Sequence, residues 1–256
     1  MKDKLNIVLE IPIFNINKGF SIVKDFYGTD DPFKILELAQ TIPCDIIGLK
    51  FNINNETDIP QAAALLQKLL PNIKKPLMIR GVNNDELDRK LIPALISVLN
   101  RESIVAFVNE NTYKDITPHV IKGNHKLVIR TPIDINLAKE MNILTSDLGL
   151  PLENIIIDTD IGGLGYGLEY GYSIMEKIKL EKEDEYLNLP IISFAGEESL
   201  KTKEAKSENF ATSYGNLNSR AVFYEIAALS AVIAAGADYV VVNYPPNVEV
   251  IKRLEV

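Results

Sequence analysis

The sequence of 256 residues holds one cysteine, two histidines and no tryptophan, and these shortages close off whole classes of chemistry. With Cys44 alone, the chain forms no internal disulfide and cannot supply the several thiolates that an iron–sulfur cluster requires. Cys44 stands in TIPCDIIGLKF, just before a strand-like run, where core packing is expected rather than nucleophilic work. His119 falls inside the helical segment YKDITPHVIKG, and His125 precedes a strand at the end remote from a working face. Neither suits a metal ligand or a general base, so no protein metal site and no catalytic residue are assigned. Positive charge is scarce too: the net charge is −8, which does not suit a nucleic-acid partner. No uninterrupted apolar run reaches the roughly 18 residues that span a bilayer. MKDKLNIVLEIP runs directly into a strand pattern, so neither a signal peptide nor a membrane is expected, and a cytoplasmic location is.

What is present is alternation. Short runs rich in Val and Ile recur: LNIVLEIP, DIIGLKF, PLMIRG, IVAFVN, KLVIRTP, NIIIDTD, PIISFAG and DYVVVNY. Such near-continuous apolar runs mark strands buried on both faces. Amphipathic segments lie between them, from DPFKILELAQTI to NVEVIKRLEV. Asp31 before Pro32 reads as a helix N-cap with proline at the first helical position, and Gly123, Gly149 and Gly236 suit helix ends. Eight strands alternating with eight helices in this length predict an α/β fold, a (β/α)8 TIM barrel forming one domain over 1–256. A doubly wound open sheet has the same local pattern. One long insertion, GEESLKTKEAKSENFATSYGNLN at about 196–218, follows the seventh strand.

In a barrel the working face lies at the C-terminal strand ends. Uncharged polar residues dominate the segments expected there, among them Asn109, Asn111, Asp134 and Asn136, predicting a hydrogen-bonding rim rather than a charged one. The stretch IIIDTDIGGLGYGLEY concentrates glycine: Gly162, Gly163, Gly165 and Gly167 fall within six positions. Neither a dinucleotide fingerprint nor a P-loop is formed. A turn with positive φ needs one glycine, so four point to close approach of a ligand to Thr159, Asp160, the glycines and Tyr166. Of Asp158 and Asp160, one is expected inward and the other outward, which is not a carboxylate pair. Glu197 and Glu198 suit either acid–base work or capping and solvation of the following helix. Arg80 and Arg130 suit either an anion or interior carboxylates. Tyr166, Tyr170 and Tyr172 share helix faces and read as packing or subunit contact. A cup without nucleophile, base or metal suits a cofactor that carries its own reactivity.

RTPIDINLAKEMNIL, LPLENIIIDTDIGGLGYGLEYGYSIMEKIKLE, LPIISFAGEESLKTKEAK and AAGADYVVVNYPPNVEVIKRL resemble the small subunit of the corrinoid iron–sulfur protein, the family that includes the delta subunit of the acetyl-CoA decarbonylase/synthase complex. The resemblance runs from about Leu5 to the end and is densest from Arg130 to Lys206. It implies a barrel paired with a large corrinoid iron–sulfur subunit, which carries the [4Fe–4S] cluster. It also implies a corrinoid (cobalamin) shared between that partner and the barrel mouth. Methyl groups then pass from a methyl-tetrahydropterin, through its methyltransferase, to acetyl-CoA synthase. The cofactor-contacting set implied is Asn109, Asn111, Asp134 and Asn136 on the rim, with Thr159, Asp160, Gly162, Gly163, Gly165, Tyr166 and Gly167 at the glycine corner, and Glu197 and Glu198 beyond the seventh strand. No Asp-x-His-x-x-Gly motif offers a lower axial histidine. Two departures stand out. Relatives begin with a segment before the first strand, and this chain has Thr159 and Leu200 where they often carry proline and an aromatic residue. A methyl-pterin-binding methyltransferase barrel, with Asn109, Asp134 and Asn136 serving the pterin, and a scaffold paralogue without corrinoid are the competing readings.

Overall fold

The computed structural model describes residues 4–164 and 167–254. Eight parallel strands appear: β1 (Asn6–Phe14), β2 (Ile46–Phe51), β3 (Leu77–Arg80), β4 (Ile104–Val108), β5 (Lys126–Arg130), β6 (Ile155–Asp158), β7 (Ile192–Ser193) and β8 (Tyr239–Val242). They hydrogen-bond in the order β6-β5-β4-β3-β2-β1-β8-β7. A parallel bridge between Ile157 and Ile191, with the Ile157 N–H donating to Pro190 O at 2.8 Å, joins the two ends. The sheet is therefore a closed barrel, which leaves no edge strand exposed.

Both faces of each strand are apolar because each faces a different core. Val8, Ile46, Met78, Ile104, Val128, Ile156, Ile192 and Val241 point inward and fill the barrel's lower layers. Their neighbours Leu9, Leu49, Ile79, Leu127 and Ile155 point outward under the helices. Those helices are α1 (Ser21–Tyr27), α2 (Pro32–Thr41), α3 (Ile59–Leu69), α4 (Asp85–Ile96), α5 (Tyr113–Lys122), α6 (Ile135–Asp147), α7 (Glu169–Leu180), α8 (Ala195–Lys201), α9 (Lys203–Lys206), α10 (Leu217–Ala235) and α11 (Asn247–Lys252). Asp31 caps α2 as the sequence predicts, accepting from the Phe33 N–H at 2.9 Å, and Gly236 ends α10 at φ 105°.

Four differences separate the structure from the sequence expectation. The β1–α2 connection, expected as loop, folds into α1 because Ile22, Val23 and Tyr27 bury one face on the core. The seventh strand stops after two residues, since Ala195 already opens α8. The insertion after it is largely ordered by α8 and α9 packing on α10. Finally, α10 is long and apolar enough by length and composition to cross a membrane, with a mean hydropathy of 1.2. Arg220 and Glu225 interrupt the segment, so it contains no continuous apolar run of that length. Here its Leu229 and Val232 lie in the outer core and Glu225 is fully buried.

Candidate functional site

Inward residues towards the C-terminal ends of five strands, Glu10, Lys50, Arg80, Arg130 and Asp158, are charged and form the floor of the barrel's mouth. Arg80 of β3 reaches across to Glu10 of β1, its Nη1 donating to Oε1 at 2.9 Å and to Oε2 at 3.0 Å. Its Nη2 lies 2.5 Å from Oε2 of Glu197 in α8. Lys50 of β2 donates to Glu197 Oε1 at 2.6 Å, and Lys201 Nζ lies 3.2 Å from the same oxygen. Asn243, just past β8, donates to Glu10 Oε1 at 3.3 Å. Gly48 makes room for this network: in register with Glu10 and Met78, it leaves space that a Cβ would take from Val8 and Met78. On the opposite wall Arg130 Nε donates to Asp158 Oδ2 at 2.6 Å. Phe107 and Phe194 stand between the two arginines. The Arg130 guanidinium carbon is 3.6 Å from the Phe107 ring centre, and that of Arg80 is 4.5 Å from the Phe194 ring centre. Phe107 faces inward because the β4–β5 register shifts between Val105 and Val108.

Charge balance decides the protonation states. Burial pushes the Glu197 carboxyl up, but Arg80, Lys50 and Lys201 outweigh it and hold the group well below the usual carboxylate range. Burial and then the Arg80 charge lower the Lys50 ammonium, against the pull of Glu197 and Glu10. Burial raises Asp158, partly offset by Arg130. These carboxylates are committed to ion pairs, so neither stands free as a general base. The charged floor corrects the expected uncharged rim. Residues beyond the strand ends are mostly polar and neutral, but the inward side chains of the strands themselves line the mouth. Glu197 likewise does not solvate or cap its helix; it turns inward to two buried cations. Arg80 and Arg130 pair with interior carboxylates, one of the two roles expected of them.

The glycine corner rises from β6 beside this floor. Asp158 points inward, and Asp160, two residues on, turns away only because the strand has ended: its φ is 48° and its Oδ1 accepts the Ile161 N–H at 2.7 Å. Continued as a strand, both would share one face. Gly162 and Gly163 follow at φ 62° and 79°, and Gly167 at 104°, the left-handed region that favours glycine. At Gly162 a Cβ would lie 2.6 Å from the Ile133 side chain, so the turn packs tightly on the β5–α6 loop. At Gly163, among the described residues, it would meet only Glu198 Oε2, at 4.0 Å. Glu198 itself is held by Lys201 at 2.7 Å. Thr159 is buried with its Oγ1 unpartnered. Gly165 and Tyr166 lie outside the described residues. Tyr170 is exposed and Tyr172 packs on the core. Next to the corner, Leu164, Leu168, Tyr224 and two alanines of α10 line a shallow apolar hollow of about 230 Å³.

The rim asparagines do not join this corner. Asn109 donates to Asp85 Oδ1 and Asn111 to Asp85 Oδ2, each at 2.8 Å, while Asn109 Oδ1 accepts from the Asn111 and Thr112 N–H groups. Together they tie the β4–α5 turn to the start of α4. Asp134 caps α6 by accepting from the Asn136 and Leu137 N–H groups at 2.8 and 3.1 Å, and the Asn136 side chain is exposed. Sequence reasoning missed Glu10, Lys50 and Asn243. The first two carried a signal, a charge inside an apolar strand run at the parity of an inward position. Among the described residues no three His, Cys, Asp or Glu side chains are placed to hold a metal ion.

A family model described as the CO dehydrogenase/acetyl-CoA synthase delta subunit matches residues 22–229. The acetyl-CoA decarbonylase/synthase complex subunit delta 1 of Methanosarcina thermophila is 28% identical over 209 residues, covering 78% of this chain and 48% of that protein. The delta subunit of Methanocaldococcus jannaschii is 27% identical over 198 residues, covering 76% and 48%. The chain thus spans about half the length of the curated relatives it matches. Among solved structures, dihydropteroate synthase from Vibrio fischeri superposes with a TM-score of 0.70 at 10% identity, covering 99% of this chain and 92% of the other. That from Xanthomonas albilineans, in complex with 7,8-dihydropteroate, gives 0.66 at 10% identity, covering 100% and 95%. At such identity the likeness is one of fold.

Proposed function

The chain belongs to the CO dehydrogenase/acetyl-CoA synthase delta-subunit family, and on that premise we propose that its barrel mouth caps a corrinoid held by a larger iron–sulfur partner during methyl transfer between a methyl-tetrahydropterin and acetyl-CoA synthase. One contrast carries the reading. The buried ionisable groups of the floor neutralise one another, whereas the glycine corner beside them presents backbone at Gly163 that is open among the described residues. A surface of this kind accommodates a large flat group rather than performing proton transfer. When bound, the corrinoid supplies the methyl-accepting centre, and the [4Fe–4S] cluster belongs to the partner. This chain's residues would shape the contact: Gly162 and Gly163 allow close approach, Glu198 offers polar atoms, and the network beneath keeps the floor rigid. The apolar hollow with Leu164, Leu168 and Tyr224 gives a partner subunit apolar surface immediately beside the corner.

The pterin-binding alternative is weakened by the rim geometry. Asn109 is spent on Asp85 and Asp134 on its own helix, so the three residues assigned to a pterin do not form one constellation. The deciding experiment is co-expression with a candidate large corrinoid subunit, co-purification and a visible spectrum. A heterodimer with cobalamin absorbance is expected. Gly163→Val should abolish cobalamin retention, while the left-handed backbone at this position costs the fold only about 1–2 kcal/mol. Retention unchanged in that variant, or a chain that stays alone and binds methyl-pterin on titration, overturns the reading.

A further inference from the structure

On the far side of α8 from the glycine corner, a cavity of about 220 Å³ opens between the C-terminal ends of β1, β2 and β8. Lys18, Lys50, Lys201 and Lys206 line it, above the buried Arg80. We propose that this cavity is a binding site for a small dianion, a compact molecule carrying a phosphate or a pair of carboxylates.

The charge inventory supports it. Glu10 is taken by Arg80, and Glu197 is shared by Arg80, Lys50 and Lys201. Among the described residues neither Lys18 nor Lys206 is paired with a carboxylate, so two ammonium groups at the cavity wall stand uncompensated. Lys50 spends one of its three N–H donors on Glu197 and keeps two. It holds its charge in a buried position, where a bound anion would offset the desolvation that lowers its pKa. The rest of the wall is mixed: Glu10 and Glu197, already held by their cations, Asn52 and Asn243 supply polar atoms, and Pro12, Phe20 and Val23 form an apolar side that suits the carbon body of a small organic acid. Gly19 keeps that wall closed: a Cβ there would come within 3.0 Å of Pro12. Size sets the upper limit. The volume is below the roughly 300 Å³ at which pockets for drug-sized ligands begin, so a nucleotide or a corrinoid is too large for it. The site is therefore separate from the corner proposed to meet the corrinoid. Lys201 links the two, since it touches Glu197 at the cavity and Glu198 at the corner.

The test is calorimetric titration of the full chain at low ionic strength with inorganic phosphate, with malonate and with sodium chloride as the monoanion control. Saturable binding of phosphate, malonate or both is expected, and which one binds identifies the dianion class. Lys18→Ala/Lys206→Ala removes two charged hydrogen-bond donors and should weaken binding roughly tenfold to a hundredfold. Lys122→Ala, on α5, should leave binding unchanged. Lys206→Gln alone, at an exposed position, serves should the double variant melt early, with a smaller loss expected. Absence of saturation beyond the chloride response, or equal affinity in the lysine variants, refutes the site.

Discussion

Replacing Arg80 with methionine should destabilise the protein by about 3–5 kcal/mol, the range for stranding buried charges by removing one partner. Arg80 and Glu10 are each 1% exposed, and Glu197 is nearly as deeply buried. The variant leaves Glu10 facing only the Asn243 amide, while Glu197 keeps Lys50 and Lys201. The stacking of the guanidinium on Phe194 is lost as well. Urea unfolding at neutral pH measures the loss, and the pH dependence identifies its cause. In the wild type the Glu197 pKa is held below its unfolded value, so its ion pairs contribute stability above about pH 4.5 that fades as pH falls through the depressed folded value. In Arg80→Met, protonating the stranded carboxylates removes uncompensated charge. The gap between the two proteins should therefore be widest at neutral pH and narrow in acid. Adding Glu10→Gln should restore part of the loss through a coupling of up to about 3 kcal/mol. A constant gap across pH, or strict additivity of the two substitutions, would mean that Arg80 acts through its bulk alone.

The barrel was legible because each βα unit announces itself locally. Strand runs such as IVAFV are apolar at every position, as only strands buried on both faces are, and Asp31-Pro32 marks a helix start by its own chemistry. The glycine corner was legible as a turn, but three of its glycines, Gly162, Gly163 and Gly167, adopt positive φ, more than the one expected from the sequence, so backbone conformation accounts for much of the cluster. The floor of the mouth was not legible. Glu10, Arg80 and Glu197 are 70 or more positions apart in pairs that close only when β1, β3 and α8 are brought round the barrel. Inward parity was visible in each strand, but the partner was not. The rim failed differently: Asn109, Asn111 and Asp134 were recognisable as polar loop residues, yet whether such a residue faces a ligand or caps its own turn depends on neighbours such as Asp85. Capping is the frequent use of Asn and Asp at these positions. Membership of the delta-subunit family was carried by the dense stretch from Arg130 onward, within the region that the family model matches.

The second large effect expected is a fall in stability as pH rises, originating far from any ligand. Glu225 on α10 is fully buried and accepts from the Asn243 N–H at 2.7 Å, the Tyr244 N–H at 3.2 Å and the Asn247 side-chain amide at 2.7 Å. These donors favour the anion, yet no cation faces it, and burial prevails over them to push its pKa up to about 7. The folded state then holds the proton where the unfolded chain, titrating near 4.5, has released it. The contribution of Glu225 is complete below about pH 4.5 and is lost as pH rises through 7, on the order of 3 kcal/mol in all. Glu197 contributes a slope of opposite sign at lower pH, so the wild-type curve mixes the two. The difference between wild type and Glu225→Gln isolates one. Gln is neutral at every pH, and with the Asn247 amide turned over it mimics the protonated acid. The variant should match or fall slightly below wild type at pH 5, and exceed it by up to about 3 kcal/mol at pH 8. Because Glu225 anchors the backbone just past β8, where Asn243 also meets Glu10, its ionisation bears on the floor of the mouth itself. A pH-independent difference would show that the three N–H donors keep Glu225 ionised throughout, and that the loop after β8 is pinned by an anion rather than by an acid.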